Sequence, residues 1–145
     1  MGTKYASGQY HPKNPDKYVG NHTPKYRSSW ELNFMMMCDT NPSILKWASE
    51  SIRVPYVDPF TGKHTTYVPD FFMQYVDKKN IIHSEIVEIK PAKHAILESV
   101  GKNKLNKYNY IKNQAKWAAC QAFCKANGLT FRILTENELF HTGKK

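Results

Sequence analysis

Three side chains near the middle of the sequence have types and spacing that suit chemistry. Asp70 closes Val68-Pro69-Asp70, and Glu88 and Lys90 sit in Ile86-Val87-Glu88-Ile89-Lys90. Side chains alternate along a strand, so Glu88 and Lys90 face one way while Val87 and Ile89 face the other. The Ile86 to Ile89 run otherwise reads as buried sheet, where an unpaired charge costs several kcal/mol or shifts its pKa. An ion or a partner must compensate. Carboxylates at the ends of two neighbouring strands supply the oxygens that a hard divalent ion such as magnesium takes, and the backbone carbonyl of Ile89 can add another. A lysine beside them can orient or deprotonate a water and stabilise charge on a phosphorane. The chemistry is metal-assisted phosphodiester hydrolysis.

Each residue alone has a plainer explanation: Asp70 as a turn residue after Pro69, and Glu88 with Lys90 as a surface strand pair. Their joint appearance at adjacent strand ends argues against coincidence. Glu31 reads two ways. Ser28-Ser29-Trp30-Glu31 fits a capping box, in which Glu31 closes a helix start, yet a helix packed on the sheet can direct the same carboxylate at the metal. Glu50 and Glu85 are lesser candidates for that third position. The six histidines form no ligand pair at helical spacing, and His64 alone precedes the Asp70 strand closely enough to touch a phosphate. Lys104, Lys107, Lys112 and Lys116 lie off the apolar stripe of their helix and suit a phosphate backbone, although a solvated lysine face has the same pattern. Trp117 and Phe123 read as core.

These side chains need elements to position them. Residues 1–27 hold Lys4, Lys13, Lys17, Lys25 and Arg27 against Asp16 with no sustained apolar period, which makes a basic arm. It can pack through Tyr5, Tyr10, Tyr18 and Tyr26 or stay loose until it meets a partner. Trp30, Phe34, Met37 and Cys38 predict a helix from Ser28 to Asp39, ended by Asn41-Pro42. Ile52 to Val57, Thr65 to Tyr75 and Ile81 to Lys90 read as a three-stranded antiparallel meander joined by turns at Asp58 to Gly62 and Asp77 to Asn80. A long helix follows from about Leu105 to Asn127, with a stripe of Ile111, Ala115, Ala118, Ala119 and Ala122 and a stop at Gly128. Leu129 to Leu134 is a fourth strand, and Thr135 to Glu138 opens a short last helix. The fold class is α+β: helix, three strands, helix, strand.

The chain has 145 residues, with 21 Lys+Arg against 12 Asp+Glu and a formal net charge of +9. That length suits one core, and the spread of positive charge suits a polyanion such as nucleic acid. Cys38, Cys120 and Cys124 fall within helical patterns, which predicts small core residues in a reducing compartment and no disulfide framework or zinc site. No leader and no apolar run of roughly eighteen residues appears, so neither secretion nor a membrane is expected.

Glu31, Pro69-Asp70 and Glu88-Ile89-Lys90, in this order of elements, resemble the PD-(D/E)xK nuclease superfamily. A more specific likeness lies in Asn14-Pro15-Asp16-Lys17-Tyr18-Val19-Gly20, Tyr26-Arg27-Ser28-Ser29-Trp30-Glu31-Leu32 and Leu45-Lys46-Trp47-Ala48-Ser49-Glu50. Val54-Pro55-Tyr56, Asn113-Gln114-Ala115-Lys116-Trp117 and Leu134-Thr135-Glu136 extend it over most of the chain. These segments are similar to the head completion nucleases of T-even-type tailed phages. That resemblance implies a restriction-endonuclease-like core over residues 28–145 and a DNA nuclease that finishes or trims packaged ends before the tail joins. It implies a catalytic set of Glu31, Asp70, Glu88 and Lys90 using magnesium, for which manganese can substitute, and no small-molecule cofactor. It also implies head and portal-vertex proteins as partners, in the virion head or neck and in the host cytoplasm during assembly. Two other readings are a structural connector that binds DNA with a weak or vestigial site, and a transposase-like end-cutting endonuclease. The latter would need a partner-binding domain that this length does not provide.

Overall fold

A computed structural model describes residues 7–91 and 104–135. Its elements in chain order are β1 (Gly8–Gln9), β2 (Lys25–Tyr26), α1 (Ser29–Thr40), β3 (Ile44–Ser49), β4 (Val54–Val57), β5 (His64–Tyr67), β6 (Phe71–Val76), β7 (Ile82–Ile89), α2 (Lys104–Ala126) and β8 (Thr130–Leu134). The main sheet has the order β3-β6-β7-β8, and β4 pairs with β5 in a separate ribbon. β6 runs antiparallel to both β3 and β7, while β8 joins β7 in parallel. A parallel neighbour needs a crossover, and α2 provides it.

The α+β class holds, and three antiparallel strands do form the centre. Their membership differs from the expected meander. The first is Ile44–Ser49, a segment not read as a strand, and the expected strand at Ile52 to Val57 is instead β4 of the ribbon. A bulge between Ile44 and Lys46 breaks the alternation that would have marked β3. The expected Thr65 to Tyr75 strand is cut at Val68-Pro69-Asp70 into β5 and β6, which belong to different sheets. Pro69 has no amide to give a ladder.

The sheet is covered on both faces. On one side Phe34, Met35 and Cys38 of α1 pack with Trp47, Phe71, Met73, Val87 and Ile89. On the other, Trp117, Cys120 and Cys124 of α2 pack with Ile86, Phe131 and the ribbon residues Val54, Tyr56 and Tyr67. β7 alternates between these two cores, which explains its continuous apolar character. The buried stripe of α2 runs through those large and sulfur-bearing side chains, whereas Ile111, Ala118 and Ala122 of the expected small-residue stripe are exposed. All three cysteines are free and buried.

Residues 7–27 pack onto the domain. Tyr10, Tyr18 and Tyr26 lie against the α1-side core, and β1 pairs with β2. Buried Asp39 gathers the segment by accepting from the Tyr10 hydroxyl, from Lys13 N at 2.7 Å and from Asn14 N at 2.9 Å. Gly128 takes a left-handed φ of +70° after α2, as its role as a helix stop requires. The short helix expected after Thr135 falls outside the described residues. Among the described residues no helix is long and apolar enough to cross a membrane.

Candidate active site

The site forms where the β6–β7 ladder runs out. Phe71 pairs with Val87 and Phe72 with Ile86, so one step further Asp70 stands opposite Glu88. Pro69 frees the chain there, and two neighbours fix it again. Ile89 N donates to Asp70 Oδ2 at 2.8 Å, and Glu50 N, just past β3, donates to the Asp70 backbone oxygen at 2.9 Å. Glu88 is only 7% exposed. Its Oε1 accepts from the Tyr67 hydroxyl at 2.7 Å, and its Oε2 lies 3.7 Å from Lys90 Nζ. Lys90 N in turn donates to Leu134 O at 2.9 Å, which ties the end of β7 to β8.

Burial raises the pKa of Asp70 well above the usual carboxylate range, and the facing charge of Glu88 raises it further; the Ile89 amide and Lys90 oppose this only in part. Burial also raises Glu88, against the hydrogen bond from Tyr67 and the charge of Lys90. Buried Glu88 and half-buried Asp70, whose ionisation the Glu88 charge disfavours, make a receptive place for a cation.

Both readings of Glu31 have support in its contacts. Ser28 Oγ accepts from Glu31 N at 3.1 Å, so the helix cap is real. The reciprocal bond goes one residue further back, from Arg27 N to Glu31 Oε1 at 2.8 Å. Glu31 is also electrostatically part of the site: burial raises its pKa, Arg27 lowers it, and the charges of Glu50 and Glu88 raise it. Glu50 ion-pairs with Arg27 at 2.5 Å and holds a left-handed φ of 47°, unusual for a residue with a side chain. Glu85 is remote from this end; it pairs with Arg132 at 3.0 Å and accepts from the Tyr75 hydroxyl at 2.8 Å.

The lysines of α2 divide. Lys104 and Lys107 are exposed on its first turns. Lys112 lies 3.5 Å from Asp58 Oδ2. Lys116 sits 5.8 Å from the centre of the Tyr67 ring, and burial together with neighbouring Lys90 lowers its pKa while Glu88 opposes. Lys90, Lys112 and Lys116 line one cavity of about 340 Å³. His64 is exposed at the turn end of the ribbon, opposite Val57 and away from Tyr67. Trp117 is buried and Phe123 packs beside it, both as core.

Tyr67, Arg27 and the close approach of Lys116 were not foreseen as parts of the site. The sequence carried no signal for Tyr67 beyond its place three residues before Asp70, since it lay inside the expected Thr65 to Tyr75 strand.

The donor set is two carboxylates at neighbouring strand ends, with the Ile89 amide donating to one of them. Among the described residues no three His, Cys, Asp or Glu side chains converge as a cluster, and Glu31 is held back by Arg27 N. Hard oxygen donors, buried and in need of positive charge, fit a divalent ion of the magnesium type.

The mixed sheet with a helix on each face is compatible with a restriction-endonuclease-like core of the PD-(D/E)xK type. The family described as TnsA-like endonuclease N terminal matches residues 41–136, and the chain belongs to it. Along nearly its whole length the chain is also similar to one curated protein, the head completion nuclease of Enterobacteria phage T4. The two are 37% identical over 151 residues, covering 96% of this chain and 97% of that protein.

Proposed function

We propose that the chain is a DNA nuclease of phage head completion that hydrolyses phosphodiester bonds with a divalent metal. The observation that carries this reading is the meeting of Asp70, Glu88 and Lys90 at one strand end, with two carboxylates in need of a cation and an ammonium 3.7 Å from one of them. Asp70 and Glu88 would hold magnesium, with manganese able to replace it, and the backbone carbonyl of Ile89 would add a further oxygen. A bound ion of this kind polarises the phosphate and makes water a better nucleophile.

The remaining work falls to the chain's own groups. Lys90 Nζ orients the attacking water and stabilises the charge that builds on the phosphorane. Tyr67 fixes the Glu88 carboxylate, and Glu31 orients the site from the start of α1. Lys116 and Lys112, with the exposed Lys104 and Lys107, carry the phosphate backbone. Head and portal-vertex proteins are the partners in this reading, and the protein acts at the head or neck of the particle after assembly in the host cytoplasm.

Plasmid and linear DNA incubated with purified protein and magnesium test it. Cleavage is expected to stop in EDTA and to fall by at least about 10²-fold in Lys90→Ala, the low end for a lost group that stabilises transition-state charge. Asp70→Ala should be at least as damaged. Cleavage by Asp70→Ala equal to that of the unaltered protein would refute the reading.

A further inference from the structure

The cavity that Lys90 shares with α2 is more than a phosphate groove. Beside its lysines it is lined by Asn106, Asn109, Tyr110 and Asn113, and among the described residues no carboxylate lines it. Residues 106, 109, 110, 113 and 116 follow helical spacing, so one face of α2 presents three carboxamides and a phenol toward the end of β7.

A phosphate only accepts hydrogen bonds, and lysines alone satisfy it. A carboxamide offers donors and an acceptor together, the combination that a nucleobase edge presents. A tyrosine ring adds a stacking surface for any base. The volume of about 340 Å³ is at the small end of ligand pockets and suits one nucleotide, not a duplex. A paired base has its edge occupied and its faces stacked, and removing it from the helix costs a few kcal/mol that an unpaired base does not incur.

We propose that this cavity receives an unpaired nucleotide next to the scissile phosphate, so that the preferred substrate is DNA carrying a single-stranded tail. The inference deepens the nuclease reading and rests on it through Lys90, the residue that cavity and site have in common.

Binding measured without metal separates the two. Fluorescence anisotropy in EDTA would compare a blunt duplex, the same duplex with a single-stranded tail, and the single strand alone. The unaltered protein is expected to bind the tailed duplex about 10-fold more tightly than the blunt one, as one stacked base allows. Asn113→Leu and Asn109→Leu should each bring that advantage below about threefold, at unaltered melting temperature. Asn109 is exposed, so its replacement leaves the core intact and keeps the test open even if Asn113→Leu folds poorly. Equal binding of blunt and tailed duplexes by the unaltered protein overturns the proposal, as does a tail preference that survives both substitutions. A tail preference lost in the variants, from a protein that cuts none of the three DNAs in magnesium, supports the cavity and overturns the nuclease reading instead.

Discussion

Tyr67 holds Glu88 from outside the set of groups that would touch a metal, through the hydrogen bond its hydroxyl donates to Oε1. Partners of this kind set the orientation and basicity of a ligand, and their loss lowers metal affinity by about 10–100-fold. Tyr67→Phe should do so in a calorimetric magnesium or manganese titration while keeping the far-ultraviolet spectrum of the fold. Asp70 has the opposite relation to stability. Its folded pKa lies above its unfolded one, so the stability it gives as a neutral acid is fully present below the unfolded carboxylate pKa and is lost as pH rises through the folded value. At neutral pH in EDTA the cost of ionising this carboxyl is therefore a burden on the fold. Asp70→Asn should melt about 3–6 °C higher under those conditions, the shift that roughly 1 kcal/mol gives in a domain of this size. The gain should vanish in acid. A variant that melts lower at neutral pH would contradict the assignment of Asp70 as an uncompensated charge.

At the scale of elements, Asp39 on α1 does for residues 7–27 what Asp70 cannot do for itself. Burial alone would raise its pKa, but the Tyr10 hydroxyl and the amides of Lys13 and Asn14 outweigh that and hold it below the usual range. Its stabilisation is thus present above the unfolded carboxylate pKa and is lost as pH falls through the folded value. Asp39→Ala strands buried donors and should cost about 2–4 kcal/mol in urea unfolding, with faster proteolysis of residues 7–27. The elements themselves were legible to different degrees. β7 and α2 were readable because long patterns average out local noise. β3 was not, because its bulge breaks the alternation, and the β5–β6 break was hidden because Val68 and Pro69 continue an apolar run. Asp70, Glu88 and Lys90 could be found from residue type at strand ends. Glu31 stayed ambiguous because one side chain meets the needs of a helix cap and those of a site. Tyr67 was unreadable as a site residue, since its contact depends on the β4–β5 ribbon folding back over β7.

For the whole molecule, a net charge of +9 makes some attraction to DNA unavoidable, and the question is where it is focused. Lys116 lies between Tyr67, Glu88 and Lys90, whereas Lys78 sits in the exposed turn between β6 and β7. Lys116→Gln should flatten the log-log dependence of DNA binding on salt by about 0.9 or less, the contribution of one phosphate contact. Lys78→Gln should leave the slope unchanged. A slope altered equally by both would mean that binding follows overall charge and not a defined track.

The hydrogen bond from Lys90 N to Leu134 O also carries a timetable. Asp70, Glu88 and Lys90 are translated early, but β7 remains an open edge until β8 has been made and has crossed back alongside it. Chains grow from the amino end, so the ribosome must pass residue 134 before Lys90 gains its anchor. A nascent chain that already carries Asp70, Glu88 and Lys90 therefore still lacks the strand that ties down the end of β7.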